Sequence, residues 1–336
     1  MLRVALFGCG RIGRVHAEAV AGHPRAELAW VFDPVETAAK EVGSQYGAAA
    51  STDADAVLAD GSVDAVIVAS PTPTHVDLLT RAARAGKAVL CEKPIDLDIA
   101  RVDACWGEIG ASDPLIMVGF NRRFDPSFRE IRARVTAGEI GRLEQVVIIS
   151  RDPAPPPAGY VATSGGLFRD MTIHDFDMAR FLLGAQGAGD VVEVSAMGSN
   201  LVSPEIEEVG DIDGAVVTLR SADGALAQIT NSRRCAYGYD QRLEAFGSTG
   251  MLIAQNQLPT SVRYAGAERS ESAAPVLNFF LERYGPAYRA ELDHFVSAVE
   301  KGARPSPDFA DGRAALVLAD AAAESLRTGR TVRLGG

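Results

Sequence analysis

No apolar run in this chain of 336 residues approaches the roughly 20 needed to cross a bilayer. The first residues, MLRVALFGCG, enter an apolar strand at once and lack the basic start and small-residue cleavage site of a signal peptide. Both absences lead to the expectation of a cytoplasmic protein without a membrane partner. Positive charge is short as well: 33 Lys and Arg stand against 44 Asp and Glu, for a net charge of -11. That balance argues against nucleic acid or an anionic membrane as the main partner. Cysteine is scarce. Cys9, Cys91, Cys105 and Cys235 form no C-x-x-C pair, and none has a histidine at zinc-ligand spacing. The expectation is four reduced, buried thiols and no structural metal.

Apolar residues, by contrast, make up 47% of the chain, enough for a large core, and the length suits two domains better than one. In the first third, short apolar runs lie near Leu2–Phe7, Glu27–Phe32, Val63–Ala69, Ala88–Cys91 and Leu115–Gly119. Helix-like segments lie between them at Ile12–Ala21, Val35–Tyr46, Pro73–Ala85 and Ile99–Ile109. Strands this short, apolar on both faces and separated by helices, predict a parallel sheet covered on both sides, the doubly wound α/β (Rossmann) architecture. Beyond about residue 120 the pattern changes. A helix over Phe124–Ala137 leads to the strand LEQVVIIS, the loop RDPAPPPAG and a helix containing FRDMTIHDFD. Strands at Val191–Ser199, Asp211–Arg220, Ala225–Arg233 and Gln241–Phe246 follow with little helix between them, and Asp223-Gly224 marks a turn. Sequential strands without crossover helices predict an α+β domain with a large, mostly antiparallel open sheet. The expected domains are 1–120 and 121–336, with helices at Ala287–Lys301 and Phe309–Thr328 as candidates to pack back on the first. The small, polar segment Ala265–Pro275 is expected to be a mobile loop.

The stretch VALFGCGRIGRVHAEAV holds Gly8, Gly10 and Gly13 as G-x-G-x-x-G, with Arg11 and Ile12 between the second and third glycines. The hexapeptide alone is a weak signal, but here a strand precedes it and a helix follows. The first glycine permits the tight turn, the second lets the backbone approach a pyrophosphate, and the third lets helix and strand pack closely. The second strand ends at Asp33, whose carboxylate suits a ribose with free hydroxyls and repels a 2′-phosphate; Pro34 and Val35 offer no cation to hold one. The cofactor expected is NAD. Ligands of open α/β sheets bind beyond the carboxyl ends of the strands. Two further strand ends therefore matter: Ser70, Thr72 and His75 in SPTPTH, and Glu92, Lys93 and Pro94 in CEKP. Lys93 at that edge is placed to reach a substrate oxygen; the alternative is a solvated surface lysine.

With these residues in view, the chain resembles a known family. The glycine fingerprint, CEKP, GFNRRFD at 119–125 and DMTIHDFDMARFLLG at 170–184 together look like the Gfo/Idh/MocA oxidoreductases. Within that family, SRDPAPP, GGLFRDMTIHDFD and YGYDQR look most like its bacterial inositol 2-dehydrogenase branch. The resemblance covers essentially the whole chain. It implies a nicotinamide cofactor, a polyol or sugar substrate, and a dimer or tetramer built through the open sheet of the second domain.

On a helix, positions i, i+4 and i+7 share a face, so Asp170, His174 and Asp177 form one stripe beside the apolar Phe176, Ala179, Leu182 and Leu183. Asp175 falls off the stripe and reads as structural or solvent-facing. Oxidation of a secondary alcohol needs a base titrating near working pH, for which histidine needs least adjustment. A carboxylate can orient the ring, and an ammonium can stabilise charge developing on the substrate oxygen. By the resemblance, Lys93, Asp170 and His174 hold the family's three polar catalytic positions. Arg122, Asp152 and Tyr239 match its substrate-contacting positions; each also has an ordinary structural alternative. The activity expected is NAD-dependent oxidation of an inositol ring hydroxyl. An aldose dehydrogenase, a reductase using NADPH and a non-catalytic NAD-binding regulator are the rivals.

Overall fold

The computed structural model describes residues 1–187 and 189–335. The chain divides into two compact units, Met1–Phe124 with Pro286–Leu316, and Asp125–Gly285 with Val317–Gly336.

The first unit is built on β1 (Leu2–Phe7), β2 (Ala26–Phe32), β3 (Ala49–Ser51), β4 (Ala65–Val68), β5 (Ala88–Glu92) and β6 (Ile116–Gly119). They form one sheet in the order β3-β2-β1-β4-β5-β6, with every neighbouring pair parallel. The order reverses between β1 and β4, which is the switch point where ligands of such sheets bind. Strands β4 and β6 are buried along their whole length, as a sheet covered on both faces requires. The crossover helices are α1 (Arg11–Ala21), α2 (Glu36–Tyr46), α3 (Ala54–Ala59), α4 (His75–Arg84) and α5 (Ile99–Ile109). Asp53 and Asp98 cap α3 and α5 through their carboxylates, but α1 starts after Gly10 with no side-chain cap and no acid in its first turn. Its first N–H groups stay available to a ligand anion. The segment Pro286–Leu316 completes this unit: Arg25 pairs with Asp293 at 2.7 Å, and Trp106 stacks on Phe309 with ring centroids 4.8 Å apart.

The second unit contains α6 (Pro126–Thr136), β7 (Leu143–Arg151), α7 (Ala158–Ser164), α8 (Ile173–Leu183), β8 (Val191–Ser199) and α9 (Pro204–Glu208). It continues through β9 (Gly214–Ser221), β10 (Leu226–Ser232), β11 (Asp240–Gly247), β12 (Gly250–Ala254), and the ribbon β13 (Arg263–Tyr264) with β14 (Ser272–Ala273). The final strand, β15 (Val332–Arg333), closes a seven-stranded sheet ordered β12-β11-β7-β10-β9-β8-β15. Only the β10–β7 pair is parallel. Burial alternates along β9 and β11, so one face is packed and the other meets solvent. The solvent face carries cross-strand apolar pairs, Phe246 with Met251 and Met197 with Val216, all exposed. The α/β and α+β classes expected from the sequence are both present.

Helices α10 (Phe280–Lys301) and α11 (Phe309–Thr328) each contribute residues to both units. Among the described residues, no helix is long and apolar enough to cross a membrane.

Candidate functional site

The three fingerprint glycines meet three different demands. Gly8 has φ +102°, and a Cβ there would lie 2.6 Å from the backbone nitrogen of Ser70 and 2.7 Å from the carbonyl of Ala69. The turn after β1 is thus pressed against the loop after β4. A Cβ on Gly13 would lie 1.9 Å from the carbonyl oxygen of Gly8, so α1 seats on the loop only without a side chain there. Gly10 is the opposite case: nothing lies within 4 Å of its Cβ position. That open side, next to the uncapped start of α1 at Arg11 and Ile12, is the cradle a pyrophosphate requires. Asp33, just past β2, accepts a hydrogen bond from the Cys9 N–H at 2.9 Å and one from the Val35 N–H at 2.9 Å. Each carboxylate oxygen keeps lone-pair capacity for a further donor. The neighbouring Cys9 thiol is pushed up to about 11 by burial and by the Asp33 charge, so it stays neutral. The residues fit a dinucleotide.

The loops after β4 and β5 are tied to each other. Ser70 Oγ lies 2.6 Å from Thr74 Oγ1, and Thr72 opens a short 3₁₀ turn. His75, 1% exposed at the start of α4, has Nδ1 2.8 Å from the carbonyl of Pro94 and Nε2 2.7 Å from the carbonyl of Ser70. Its ring braces two strand-end loops against each other. Glu92 Oε1 lies 2.7 Å from Nε2 of the buried His16, and half-buried Lys93 follows, joined to Pro94 by a cis peptide bond. Glu291, on α10 within the same unit, is fully buried, and neither of its carboxylate oxygens has a hydrogen-bond partner. Burial, reinforced by the charge of Glu92, pushes its pKa well above the ordinary glutamate value and favours the neutral acid. Arg122 lies in the 3₁₀ turn Asn121–Phe124 and is buried.

In the second unit, the stripe read from the sequence departs from a regular helix. Residues Phe168–Thr172 form a π-turn, and α8 begins only at Ile173. A π-turn is wider than an α-turn, so residues four apart within it come nearer to one azimuth. Asp170 lies in this turn, and half-buried His174 is the second residue of α8. One oxygen of Asp170 accepts from the Tyr160 hydroxyl at 2.8 Å, and the other from Nη1 of Arg233 at 3.2 Å. Asp175 is wholly buried and structural: Ser150 Oγ donates to it at 2.8 Å and Asn231 Nδ2 at 2.7 Å. Asp177 is buried as well. Asp152 is half-buried at the end of β7, where its N–H donates to the carbonyl of Ser232 at 2.9 Å. Tyr239 is buried, edge-on to Tyr284 at 6.0 Å between centroids. The sequence reading did not single out Tyr160, Asn231, Arg233, His16 or Glu291. Asn231 and Arg233 had one usable signal, two polar residues spaced by two at a strand end.

Residues 2–120 match the oxidoreductase family with an NAD-binding Rossmann fold, and 128–253 match the GFO/IDH/MocA C-terminal domain. Over 333 residues, 99% of each chain, the sequence is 48% identical to an inositol 2-dehydrogenase of Rhizobium meliloti. The crystal structure of a myo-inositol dehydrogenase from Corynebacterium glutamicum is similar with a TM-score of 0.96 and 55% identity, covering 100% of this chain and 99% of that one. A scyllo-inositol dehydrogenase from Lactobacillus casei, solved with NAD(H) and scyllo-inositol, is similar with a TM-score of 0.90 and 29% identity, over 99% and 98% of the two chains.

Proposed function

The chain belongs to the GFO/IDH/MocA oxidoreductase family, and we propose that it oxidises a ring secondary alcohol of an inositol to the ketone with NAD. The observation that carries this reading is its 48% identity, over 99% of both chains, to an inositol 2-dehydrogenase.

NAD, when bound, supplies the acceptor for the hydride leaving the carbinol carbon. Gly8, Gly10, Arg11, Ile12 and Gly13 would hold its pyrophosphate, and Asp33 its adenosine ribose. Ser70, Thr72, His75, Glu92, Lys93 and Pro94, on the strand-end loops, would shape the rest of its seat. His174 takes the hydroxyl proton, because an imidazole changes charge nearest to neutral pH. Asp170 favours the imidazolium that results. The Lys93 ammonium stabilises negative charge on the oxygen as the proton departs. Arg122, Asp152 and Tyr239 would bind the remaining hydroxyls, as a polyol demands several convergent donors and acceptors.

The second copy in a dimer or tetramer would lie on the solvent face of the seven-stranded sheet, where Phe246, Met251, Ile253, Met197 and Val216 are exposed. A cytoplasmic setting suits the four free, buried cysteines.

Initial rates with NAD and with myo-inositol, scyllo-inositol or glucose test the substrate. An inositol turned over faster than glucose supports the reading; glucose as the better substrate, or no turnover of either inositol, overturns it.

A further inference from the structure

Asn231 and Arg233, two residues apart at the end of β10, both grip the segment that carries Asp170 and His174. Asn231 accepts from Thr172 Oγ1 at 2.7 Å and donates to Asp175 at 2.7 Å. Arg233 donates Nη1 to Asp170 at 3.2 Å, and its Nη2 lies 3.5 Å from Oδ2 of Asp211. Asp211 in turn accepts from the N–H of Leu167 at 3.0 Å, just before the π-turn. A Cβ on Gly166 would come within 2.8 Å of Asp211 Oδ1, at a positive φ of +83°, so the glycine clears the space this carboxylate fills. One guanidinium therefore joins the residue that holds the entry to the π-turn to the acid within it.

The arrangement is costly for stability alone. Arg233 is 1% exposed, and its Nε has no hydrogen-bond partner. Buried ion pairs of this kind often do no better than apolar replacements, because desolvation offsets their attraction. A π-turn is likewise rare and found frequently at functional sites. Both features make sense if what is gained is direction rather than stability.

We propose that Arg233 is a positioning residue for the reaction, fixing the Asp170 carboxylate and, through the π-turn, the direction of His174, with Asp211 as its second anchor. The role rests on the reading of Asp170 and His174 as the acid–base pair. One cation between two carboxylates leaves the trio with a net charge of minus one, which favours the imidazolium formed when His174 takes a proton. The Tyr160 hydroxyl also donates to Asp170, the Arg169 guanidinium is occupied by Asp320 at 2.9 Å, and the buried Asp175 and Asp177 lie on the same segment as His174.

Three variants test the role, with kcat/KM for myo-inositol followed against pH at saturating NAD. Arg233→Lys keeps the charge but loses the two-sided grip; kcat should fall about tenfold or more while the KM for NAD is unchanged. Arg233→Gln leaves Asp170 and Asp211 without their shared cation, so the acidic limb should move to higher pH. Asp211→Asn leaves Asp170 as the sole anion on Arg233, so the limb should move to lower pH. A purely structural role would lower the yield of folded enzyme without opposite shifts. A preserved kcat in Arg233→Lys together with an unshifted limb in Asp211→Asn overturns the proposal even if Arg233→Gln does not fold. Asp170→Asn separates the two levels: full activity in that variant sinks the acid–base reading itself. Loss of activity there, beside normal Arg233 and Asp211 variants, sinks only the positioning role.

Discussion

Nε2 of His16 lies 2.7 Å from Oε1 of Glu92, and the charge of that glutamate reaches the fully buried Glu291. Burial and the nearby charge both favour the protonated form of Glu291 in the folded state, whereas the unfolded chain releases its proton near 4.5. The stability this group contributes is therefore complete below about 4.5 and is lost as pH rises toward the raised folded value. Glu291→Gln, which cannot ionise, should raise the melting temperature at pH 8 and have little effect at pH 5. Thermal melts at the two pH values read this out; an equal shift at both would contradict it.

Gly10 and Gly13 should separate cofactor affinity from folding. Gly13→Ala forces a Cβ to within 1.9 Å of the Gly8 carbonyl and should destabilise the protein, by about 1–3 kcal/mol if the backbone yields. Gly10→Ala meets no protein atom within 4 Å and should melt near the wild-type temperature while binding NAD less tightly. Calorimetric NAD titrations beside thermal melts measure both; equal melting temperatures for the two variants would be the wrong answer.

His174→Ala should lower kcat by about 10²–10⁴-fold, the usual worth of a positioned acid–base group, while NAD still binds. Lys93→Met should also lower kcat. If both act on the same alcohol, the double variant should lose far less than the product of the single losses. Steady-state rates decide this, and normal turnover in His174→Ala would remove the base assignment.

Asp33→Asn keeps an acceptor for the N–H of Cys9 but loses the charge that suits a free ribose. Hydrogen bonds to charged groups are worth about 1.5–3 kcal/mol, so kcat/KM with NAD should fall on the order of tenfold or more. The ratio of NAD to NADP use should drop with it. An unchanged ratio would mean that Asp33 only shapes the turn.

Phe246 and Met251 face each other across β11 and β12 on the exposed side of the sheet. Phe246→Lys should shift the protein to a smaller species in size-exclusion chromatography with light scattering. A wild-type protein that elutes as a monomer would remove the sheet-face interface altogether.

What the sequence made legible follows from how local each signal is. The apolar runs of β1, β4, β5 and β6 announce themselves because both faces of those strands are buried. Strand β3 does not, being three small residues with none fully buried. The sequence reading starts a helix at Ala287, just after Pro286, yet α10 already begins at Phe280. The carbonyl that proline leaves without its usual partner is that of the exposed Glu282, where solvent can serve it. The glycine fingerprint is local, and each of its steric demands can be anticipated from spacing. The π-turn is not, because the apolar period on either side of it is undisturbed and the groups that hold it come from far along the chain. Arg233 is 63 positions from Asp170, too far along the chain for any local spacing to announce the pair.

The first unit is not one continuous piece of chain: Pro286–Leu316 belongs to it although 161 residues of the other unit, Asp125–Gly285, intervene. On a ribosome adding about 5–20 residues per second, the nascent sheet must wait on the order of ten seconds or more for its missing part. Until then His16 lacks the edge-on ring of Tyr288, and Trp106 lacks the stacked ring of Phe309. A fragment ending at Phe124 would inherit that exposure permanently, so the nucleotide-binding half should be insoluble when expressed by itself.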